Sequence, residues 1–450
     1  MVKILLVRPN FKIRQTYPPL GIAYIAAWLR KQNPRYTIRI VDGLRDKLQR
    51  EDFKQIFLKF KPDILGITSM DLSSCQTHEI AGIAKAIDRN CNVVVGGPYP
   101  TGAPQEVLGD ENIDFIVVGE GEKAMGHLVE ALTRDRSPSL IKGIGYKTNG
   151  KFVLNQPLDY IDDINSIPFP AWDLVGLKDY YVFNNVPVPV LTTRGCHYNC
   201  IYCLDIFGKK VRYRSVDNLL QELILLVNEY KIDHITITDD IFNIDQKRVM
   251  EFCDYIISLR LNINIFIGYG LKLEFMNNDI ISKLKEAGVY WVTYGIEPAS
   301  KRIQRLIGMD FNPTHARRII DFSTRAGLLT EGIVAIGAPG ETEKEIQETI
   351  RYVNSTGLHR ANFVCVSSFF PKVKLRSLPR GTHIENSNRL PDSIDFVCDN
   401  KLKKIQKKAY MSFYCDLPRL WRIVRITKDK FRLMKELLSF LKYIITGQYI

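Results

Sequence analysis

Short, continuously apolar segments alternate with helical segments along most of the chain, and this alternation constrains the fold more than any other feature. Five such segments fall near the N-terminus, at Lys3–Val7, Thr37–Val41, Asp63–Thr68, Asn92–Val95 and Asp114–Val118. Apolar strands separated by helices are typical of a doubly wound parallel sheet. Ligands of such sheets bind beyond the carboxyl ends of the strands, where this sequence places glycine-rich turns.

A second series of strand–helix units begins near residue 186. Its strands are predicted at Val188–Thr193, His234–Thr238, Asn264–Gly268, Trp291–Gly295, Gly332–Ile336 and Asn362–Ser368. Six units predict an incomplete (βα)6 barrel rather than a closed eightfold one. The fold class is therefore α/β, with a Rossmann-like sheet domain (1–140), a linker (141–185), a partial barrel (186–375) and a mainly helical, basic C-terminal region (376–450).

The positive charge of the chain is concentrated at its C-terminal end. The formal net charge is +13, and residues 401–450 hold thirteen Lys or Arg against three acids. Such a tail favours an anionic partner. Two interpretations stay open, namely a helix packed on the barrel with a solvated basic face and a peripheral membrane contact. Nucleic-acid binding is disfavoured because the tail has no recognisable nucleic-acid module.

The N-terminal segment and the hydropathy pattern bear on location. The first residues, Met1–Pro9, lack the apolar region and cleavage site of a signal peptide and instead predict a buried strand. No stretch reaches the ~18 apolar residues that a membrane-spanning helix needs. We therefore expect a cytoplasmic protein, with membrane association left open by the basic tail.

Three closely spaced cysteines follow the first strand of the second series. Cys196, Cys200 and Cys203 are separated by three and two residues. Thiolates are the usual ligands of iron–sulfur clusters, and three of them leave one iron of a 4Fe-4S cluster open for chemistry. A structural zinc site normally closes with a fourth ligand, and His197 is too near Cys196 to provide it. A ferredoxin-like electron carrier would likewise need a fourth cysteine.

The cysteine spacing, the preceding Arg194-Gly195 pair and the aromatic Tyr202 resemble the radical S-adenosylmethionine (SAM) superfamily. The resemblance implies that SAM binds the open iron and is cleaved reductively to a 5′-deoxyadenosyl radical. It also implies an external electron donor of the flavodoxin or ferredoxin type. We expect Arg194 to lie near the cluster and to supply a positive charge.

Three later segments resemble the SAM contacts of that superfamily. The resemblance places Asp239 and Asp240 near the SAM amino group and Glu297 near its carboxylate or ribose. It places Gly337 and Pro339 in a turn beside the adenine. The simpler alternatives are a helix cap for the two aspartates and a solvated acid for Glu297.

The N-terminal glycine-rich turns resemble the cobalamin-binding domain that precedes the barrel in the class B radical SAM methyltransferase-like subfamily. The resemblance implies cobalamin contacts at Pro18, Gly21, Ser69, Leu72, Gly96, Gly97, Gly119 and Glu120. The loop Arg8–Gln15 lacks the histidine with which many other cobalamin proteins ligate cobalt. We therefore expect no histidine ligand below the cobalt. The alternative is a retained fold that has lost the vitamin.

These features lead to one main hypothesis and several rivals. The main hypothesis is a cobalamin-dependent radical SAM methyltransferase that acts on an unactivated carbon of a small-molecule or lipid-like substrate. The alternative keeps both cofactors but performs a cyclisation, oxidation or rearrangement. A methylthiotransferase is disfavoured because the N-terminal domain holds only Cys75 and Cys91. The segment Phe370–Lys374 departs from the Pro-x-Pro-Gly-Thr-like turn that relatives often carry. The substrates of those relatives therefore do not indicate the substrate of this chain.

Overall fold

The computed structural model describes residues 2–11, 17–184, 186–338, 340–366 and 400–427, together with the single positions 434 and 438. Pro339, the segment Phe370–Lys374 and most of the chain beyond residue 427 lie outside the described residues. Within the described part, two α/β domains are followed by two helices, which confirms the expected fold class.

The N-terminal domain is built on one seven-stranded sheet. Its strands are β1 (Lys3–Arg8), β2 (Thr37–Asp42), β3 (Ile64–Thr68), β4 (Asn92–Gly96), β5 (Phe115–Val117), β6 (Ile144–Thr148) and β7 (Lys151–Leu154). Its helices are α1 (Leu20–Gln32), α2 (Gly43–Asp46), α3 (Arg50–Phe60), α4 (Ser74–Ile87), α5 (Pro98–Gly102), α6 (Pro104–Leu108) and α7 (Gly121–Thr133). The strand order is β2-β1-β3-β4-β5-β6-β7, with β1 to β5 parallel. Because the order reverses beside β1, the loops after β1 and β3 flank a crevice.

Strand β1 shows why the apolar pattern located this sheet. Leu5 and Val7 face one core, whereas Ile4 and Leu6 face the other, and all four are essentially inaccessible to solvent. A strand buried on both faces has to be apolar at every position, which produces a continuous apolar run.

The segment expected to be a linker begins instead with a hairpin of the sheet. Strands β6 and β7 pair antiparallel with each other, and β6 pairs antiparallel with β5. Asn149 and Gly150 form the turn with positive φ values of 49° and 71°, as an Asn-Gly hairpin turn requires. The apolar pattern missed these strands because they are only partly buried.

The second domain has eight strands, six of which form a parallel sheet while the other two form a separate pair. In chain order the strands are β8 (Val188–Val190), β9 (Thr193–Arg194), β10 (Arg212–Tyr213), β11 (His234–Ile237), β12 (Asn264–Leu271), β13 (Val289–Ile296), β14 (Leu329–Ile336) and β15 (Arg360–Cys365). The helices are α8 (Trp172–Val175), α9 (Leu177–Asn184), α10 (Val216–Asn228), α11 (Gln246–Ser258), α12 (Asn278–Glu286), α13 (Lys301–Ile307), α14 (Pro313–Arg325) and α15 (Glu343–Asn354). The main sheet runs β8-β11-β12-β13-β14-β15, and β9 pairs separately with β10. The six predicted barrel strands are therefore confirmed, although the first ends at Val190.

Two helices follow the barrel, α16 (Asn400–Tyr414) and α17 (Leu417–Ile426). Helix α16 covers the edge strand β15. The hydroxyl oxygens of Tyr414 and Tyr410 accept hydrogen bonds from the backbone N–H groups of Ala361 and Phe363, both at 3.2 Å. This contact satisfies donors that an open sheet edge would leave exposed.

Among the described residues, every helix is too short or too polar to span a membrane.

Candidate active site

The cysteine loop leaves the barrel directly after β9. Gly195 has φ +92°, and a Cβ at this position would lie 2.3 Å from the backbone oxygen of Lys210, so only glycine fits. The Cys196 N–H donates to the Gly208 oxygen at 3.0 Å. Cys200 Sγ lies 3.0 Å from Met309 Sδ. The loop is therefore anchored by β9–β10 on one side and by the end of α13 on the other.

The three thiols of the cysteine loop differ in exposure. Cys196 and Cys200 are half-buried, and Cys203 is exposed. Among the described residues, no three His, Cys, Asp or Glu side chains converge closely enough to hold one ion. Cysteines that each ligate a different iron of a 4Fe-4S cluster need not converge in this way. Although much of the residue is exposed, partial desolvation of the Cys203 thiol and the charge of the neighbouring Cys200 raise its pKa to about 11, so cluster binding must displace protons.

Lys272 is one of the cations that the structure places beside the cysteine loop; Lys209, which donates to the Tyr198 oxygen at 2.6 Å, is another. Lys272 follows β12, and its Nζ lies 4.6 Å from the centre of the Tyr198 ring and 3.9 Å from Glu297 Oε1. Burial raises the pKa values of Cys196 and Cys200, and the charge of Lys272 opposes this rise. This lysine was not among the predicted site residues, although its place at the carboxyl end of a barrel strand is a usable signal.

Glu297 lies next to this lysine at the end of β13. Its carboxylate accepts a hydrogen bond from the Tyr202 hydroxyl at 3.1 Å. Burial raises the pKa of Glu297, and Lys272 acts in the opposite direction. With 8% of its surface exposed, Glu297 is not the solvated acid of the simpler interpretation.

The two aspartates after β11 have different surroundings. Asp239 is buried, accepts a 2.6 Å hydrogen bond from the Thr192 N–H and also bonds the Thr192 hydroxyl. Burial raises its pKa to about 6. Asp240 is exposed, and its Oδ2 accepts from the Gly195 N–H at 3.2 Å beside the cysteine loop. Asp239 therefore stabilises the ends of the strands, contrary to the expectation that it contacts SAM. Asp240 remains available to bind a ligand beside the cysteine loop.

The turn after β14 is organised by a residue that the sequence analysis left without a role. Glu341 Oε2 accepts from the N–H groups of Gly337 and Ala338 at 2.7 and 2.9 Å. Burial raises the pKa of Glu341 to about 7, and its Oε1 has no hydrogen-bond partner among the described residues. Gly337 has φ +75° and packs against Leu402 of α16. The C-terminal region therefore contacts the expected SAM turn.

The expected cobalamin residues gather at the carboxyl edge of the N-terminal sheet. Gly97 has φ +98°, and a Cβ there would meet the Ser69 oxygen at 2.8 Å. The Ser69 N–H donates to the Gly96 oxygen at 2.8 Å. Ser69 is buried and its hydroxyl lies 2.7 Å from that of Thr77 in α4. Ser69 therefore stabilises the loop after β3 from the protein interior. Position 97 therefore requires glycine because its backbone packs against the loop after β3.

The remaining cobalamin candidates differ in exposure. Pro18 is buried, Leu72 is half-buried and Gly21 is exposed at the start of α1. A Cβ at Gly21 would meet nothing within 4 Å, so a ligand could approach this helix turn closely.

Two further predictions need correction. Arg194 does not face the cluster, because its guanidinium donates to Glu120 at 3.1 Å and to Glu122 at 2.6 Å. The carboxylate of Glu120 is not free to bind a cofactor as expected, because its two oxygens accept from Arg194, Arg212 and the Ile161 N–H. Buried charges have to be paired, and these residues pair with each other across the domain boundary.

A cavity of about 590 Å³ lies between the two domains. Gly119 and Glu120 line it from the N-terminal sheet, and Cys200 and Cys203 line it from the cysteine loop. The carboxyl edge of one sheet and the cysteines of the other therefore share one space.

Comparison with known families agrees with this two-domain arrangement. Residues 10–129 match the B12 binding domain family, and residues 190–353 match the Radical SAM superfamily. An uncharacterized methyltransferase of Pyrococcus horikoshii is 34% identical over 435 residues, covering 92% of this chain and 93% of the relative. The chain therefore belongs to the cobalamin-dependent radical SAM family, and its cofactors are a 4Fe-4S cluster, SAM and cobalamin.

Two further similarities extend the comparison. The anaerobic magnesium-protoporphyrin IX monomethyl ester cyclase of Rubrivivax gelatinosus is 26% identical, covering 80% of this chain and 67% of the relative. The solved structure of the radical SAM methyltransferase TsrM from Kitasatospora setae, with cobalamin and an iron–sulfur cluster bound, has a TM-score of 0.72. It is 18% identical and covers 83% of this chain and 74% of that chain, so it supports the fold alone.

Proposed function

We propose that this enzyme transfers a methyl group from SAM to an unactivated carbon of a small-molecule substrate. The observation that carries the proposal is the cavity that Gly119 of the cobalamin domain shares with Cys200 and Cys203. Methyl transfer to an unactivated carbon requires a methyl donor and a radical to reach the same atom. A shared cavity is the arrangement that this chemistry needs.

The side chains of the cysteine loop and of the neighbouring strand ends have separate tasks in this proposal. When bound, the cluster and SAM supply a 5′-deoxyadenosyl radical, and cobalamin supplies the methyl group. Cys196, Cys200 and Cys203 hold the cluster, while Asp240 accepts from the SAM amino group. Lys272 pairs with the SAM carboxylate. Electrons come from an external donor of the flavodoxin or ferredoxin type, because the sequence holds a single closely spaced cysteine motif.

The second candidate is a radical cyclisation, oxidation or rearrangement without methyl transfer. It is favoured by the similarity to the cyclase of Rubrivivax gelatinosus. Both candidates use the same cofactors and the same cavity, so geometry alone does not separate them.

Methyl-labelled SAM distinguishes the two reactions. The reconstituted enzyme is incubated anaerobically with the labelled SAM, a reductant and a small-molecule extract. We expect the label in a new product together with 5′-deoxyadenosine. Formation of 5′-deoxyadenosine and a changed substrate without label in any product would contradict methyl transfer and favour the second candidate.

The proposal includes a peripheral contact between the C-terminal helices and an anionic membrane, which would suit a lipid-like substrate. Residues 401–427 hold eight Lys or Arg and one acid. On α17, Leu417 and Trp421 are 76% and 68% exposed, one helical turn apart. Met434 and Leu438 are exposed as well. Large apolar side chains among cationic ones are typical of helices that lie at a membrane surface.

Vesicle sedimentation tests this contact. We expect the full chain to sediment with phosphatidylglycerol vesicles and not with phosphatidylcholine vesicles, because both the charge and the apolar face contribute. The double variant L417E/W421E should lose the binding. The control L140E changes a leucine of the N-terminal domain that is even more exposed, and it should bind as the parent does. Equal binding by L417E/W421E would contradict the contact.

A further inference from the structure

We propose that Glu120, Glu122, Arg194 and Arg212 form an interdomain clamp that sets the spacing between cobalamin and the iron–sulfur cluster. Arg194 donates to Glu120 Oε1 from Nη1 at 3.1 Å and to Glu122 Oε1 from Nη2 at 2.6 Å. Arg212 Nη1 donates to both oxygens of Glu120 at 2.8 and 3.0 Å. All four side chains are at least 94% buried.

Aromatic rings complete the clamp around the two cations. The Arg194 guanidinium carbon lies 5.2 Å from the Tyr24 ring centre and 5.1 Å from that of Phe207. The guanidinium of Arg212 lies 5.0 Å from the Tyr160 ring centre. Tyr24 belongs to the cobalamin domain and Phe207 to the cysteine loop region, so the Arg194 side chain is held between the two domains.

The charges within the clamp balance. Two carboxylates face two guanidinium groups, and each acid belongs to the N-terminal domain whereas each cation belongs to the barrel. Burial alone would disfavour every one of these charges. The planar guanidinium makes several directional bonds that an ammonium cannot reproduce. The arrangement therefore stabilises one relative position of the two domains and penalises others.

The clamp residues Glu120 and Arg194 are adjacent in sequence to the loop after β5 and to the cysteine loop. Glu120 follows Gly119, which lines the shared cavity. Arg194 is followed in the chain by Gly195 and Cys196, and the Gly195 N–H donates to Asp240. A shift in the backbone position of Glu120 or Arg194 would therefore be passed directly to the adjacent cofactor loop. The four residues are positioning residues, because their side chains bond with each other and with backbone groups of the two domains.

The charge-preserving variant R194K tests the clamp. It should bind the cluster and cobalamin in the same stoichiometry as the parent and lose the fixed geometry between them. Electron paramagnetic resonance of the sample with cob(II)alamin and reduced cluster reports their magnetic interaction. We expect a defined interaction in the parent and a broadened or lost one in R194K. Product formed per SAM cleaved should fall on the order of 10–100-fold because the reacting groups are misplaced.

The matched control is R214K. Arg214 pairs with Glu222, and both are buried to the same degree but belong to the barrel domain. R214K should leave the magnetic interaction as in the parent. An unchanged interaction in R194K, or the same change in R214K, would overturn the clamp.

A second variant covers the case in which R194K does not fold. E122Q keeps the shape of the side chain and removes one charge, and it should weaken the magnetic interaction in the same way. An E122Q protein with full cofactors and an unchanged interaction would also overturn the clamp. The readout does not require methyl transfer, so it distinguishes failure of this inference from failure of the proposed function.

Discussion

Replacing Cys203 with alanine is expected to abolish reductive cleavage of SAM and to leave the fold and cobalamin binding intact. Cys203 is exposed in the cysteine loop, and its backbone N–H bonds the Cys200 oxygen at 3.2 Å. The side chain therefore contributes little to packing. Its loss removes one of three thiolate ligands, and a cluster held by two thiolates is poorly retained.

Iron and sulfide analysis, the absorption spectrum and the yield of 5′-deoxyadenosine measure this result. C203A should contain at most a small fraction of the parent iron, and its 5′-deoxyadenosine yield should fall to background. The control C415A removes another exposed cysteine, at the end of α16, and should retain the parent cluster and yield. A C203A protein with a full cluster and parental cleavage would refute the assignment of the three ligands.

The fold could be predicted because its determinants are local. Strands buried on both faces are apolar throughout, and the turns that follow them are rich in glycine, so both patterns are visible in the sequence. The hairpin of β6 and β7 was missed because Tyr146, Phe152 and Val153 are only half-buried. The Asn149-Gly150 turn was the available signal.

The site was predicted less completely because side-chain direction depends on distant contacts. The spacing of the cysteines identified the cluster loop, which is continuous in sequence. Arg194, however, points to Glu120 and Glu122, which lie 74 and 72 residues away. No local pattern reveals such a pairing.

The two aspartates illustrate the same limit on a smaller scale. Successive residues at a strand end face opposite sides. Asp239 therefore turns into the protein toward Thr192, whereas Asp240 turns toward the cysteine loop. The sequence shows the pair and does not show which member faces the ligand.

Replacing Lys272 with methionine is expected to weaken SAM binding strongly. Its Nζ lies between Tyr198 of the cysteine loop and Glu297, so it is placed to meet an anionic group bound at the cluster. Methionine keeps much of the side-chain length and removes the charge. A hydrogen bond to a charged group contributes about 1.5–3 kcal/mol, which corresponds to a rise of about 10–100-fold in Kd.

Anaerobic equilibrium dialysis of SAM against the cluster-containing enzyme measures this Kd. K272R should recover part of the affinity, because it restores the charge with a different shape. The control K301M removes a lysine of the same domain that pairs with Asp310 on the surface, and it should bind SAM as the parent does. An unchanged Kd in K272M with a full cluster would show that Lys272 does not contact SAM. Loss of the cluster in K272M and its retention in K272R would instead assign the charge to the cysteine loop, where Lys272 opposes the effect of burial on the pKa values of Cys196 and Cys200.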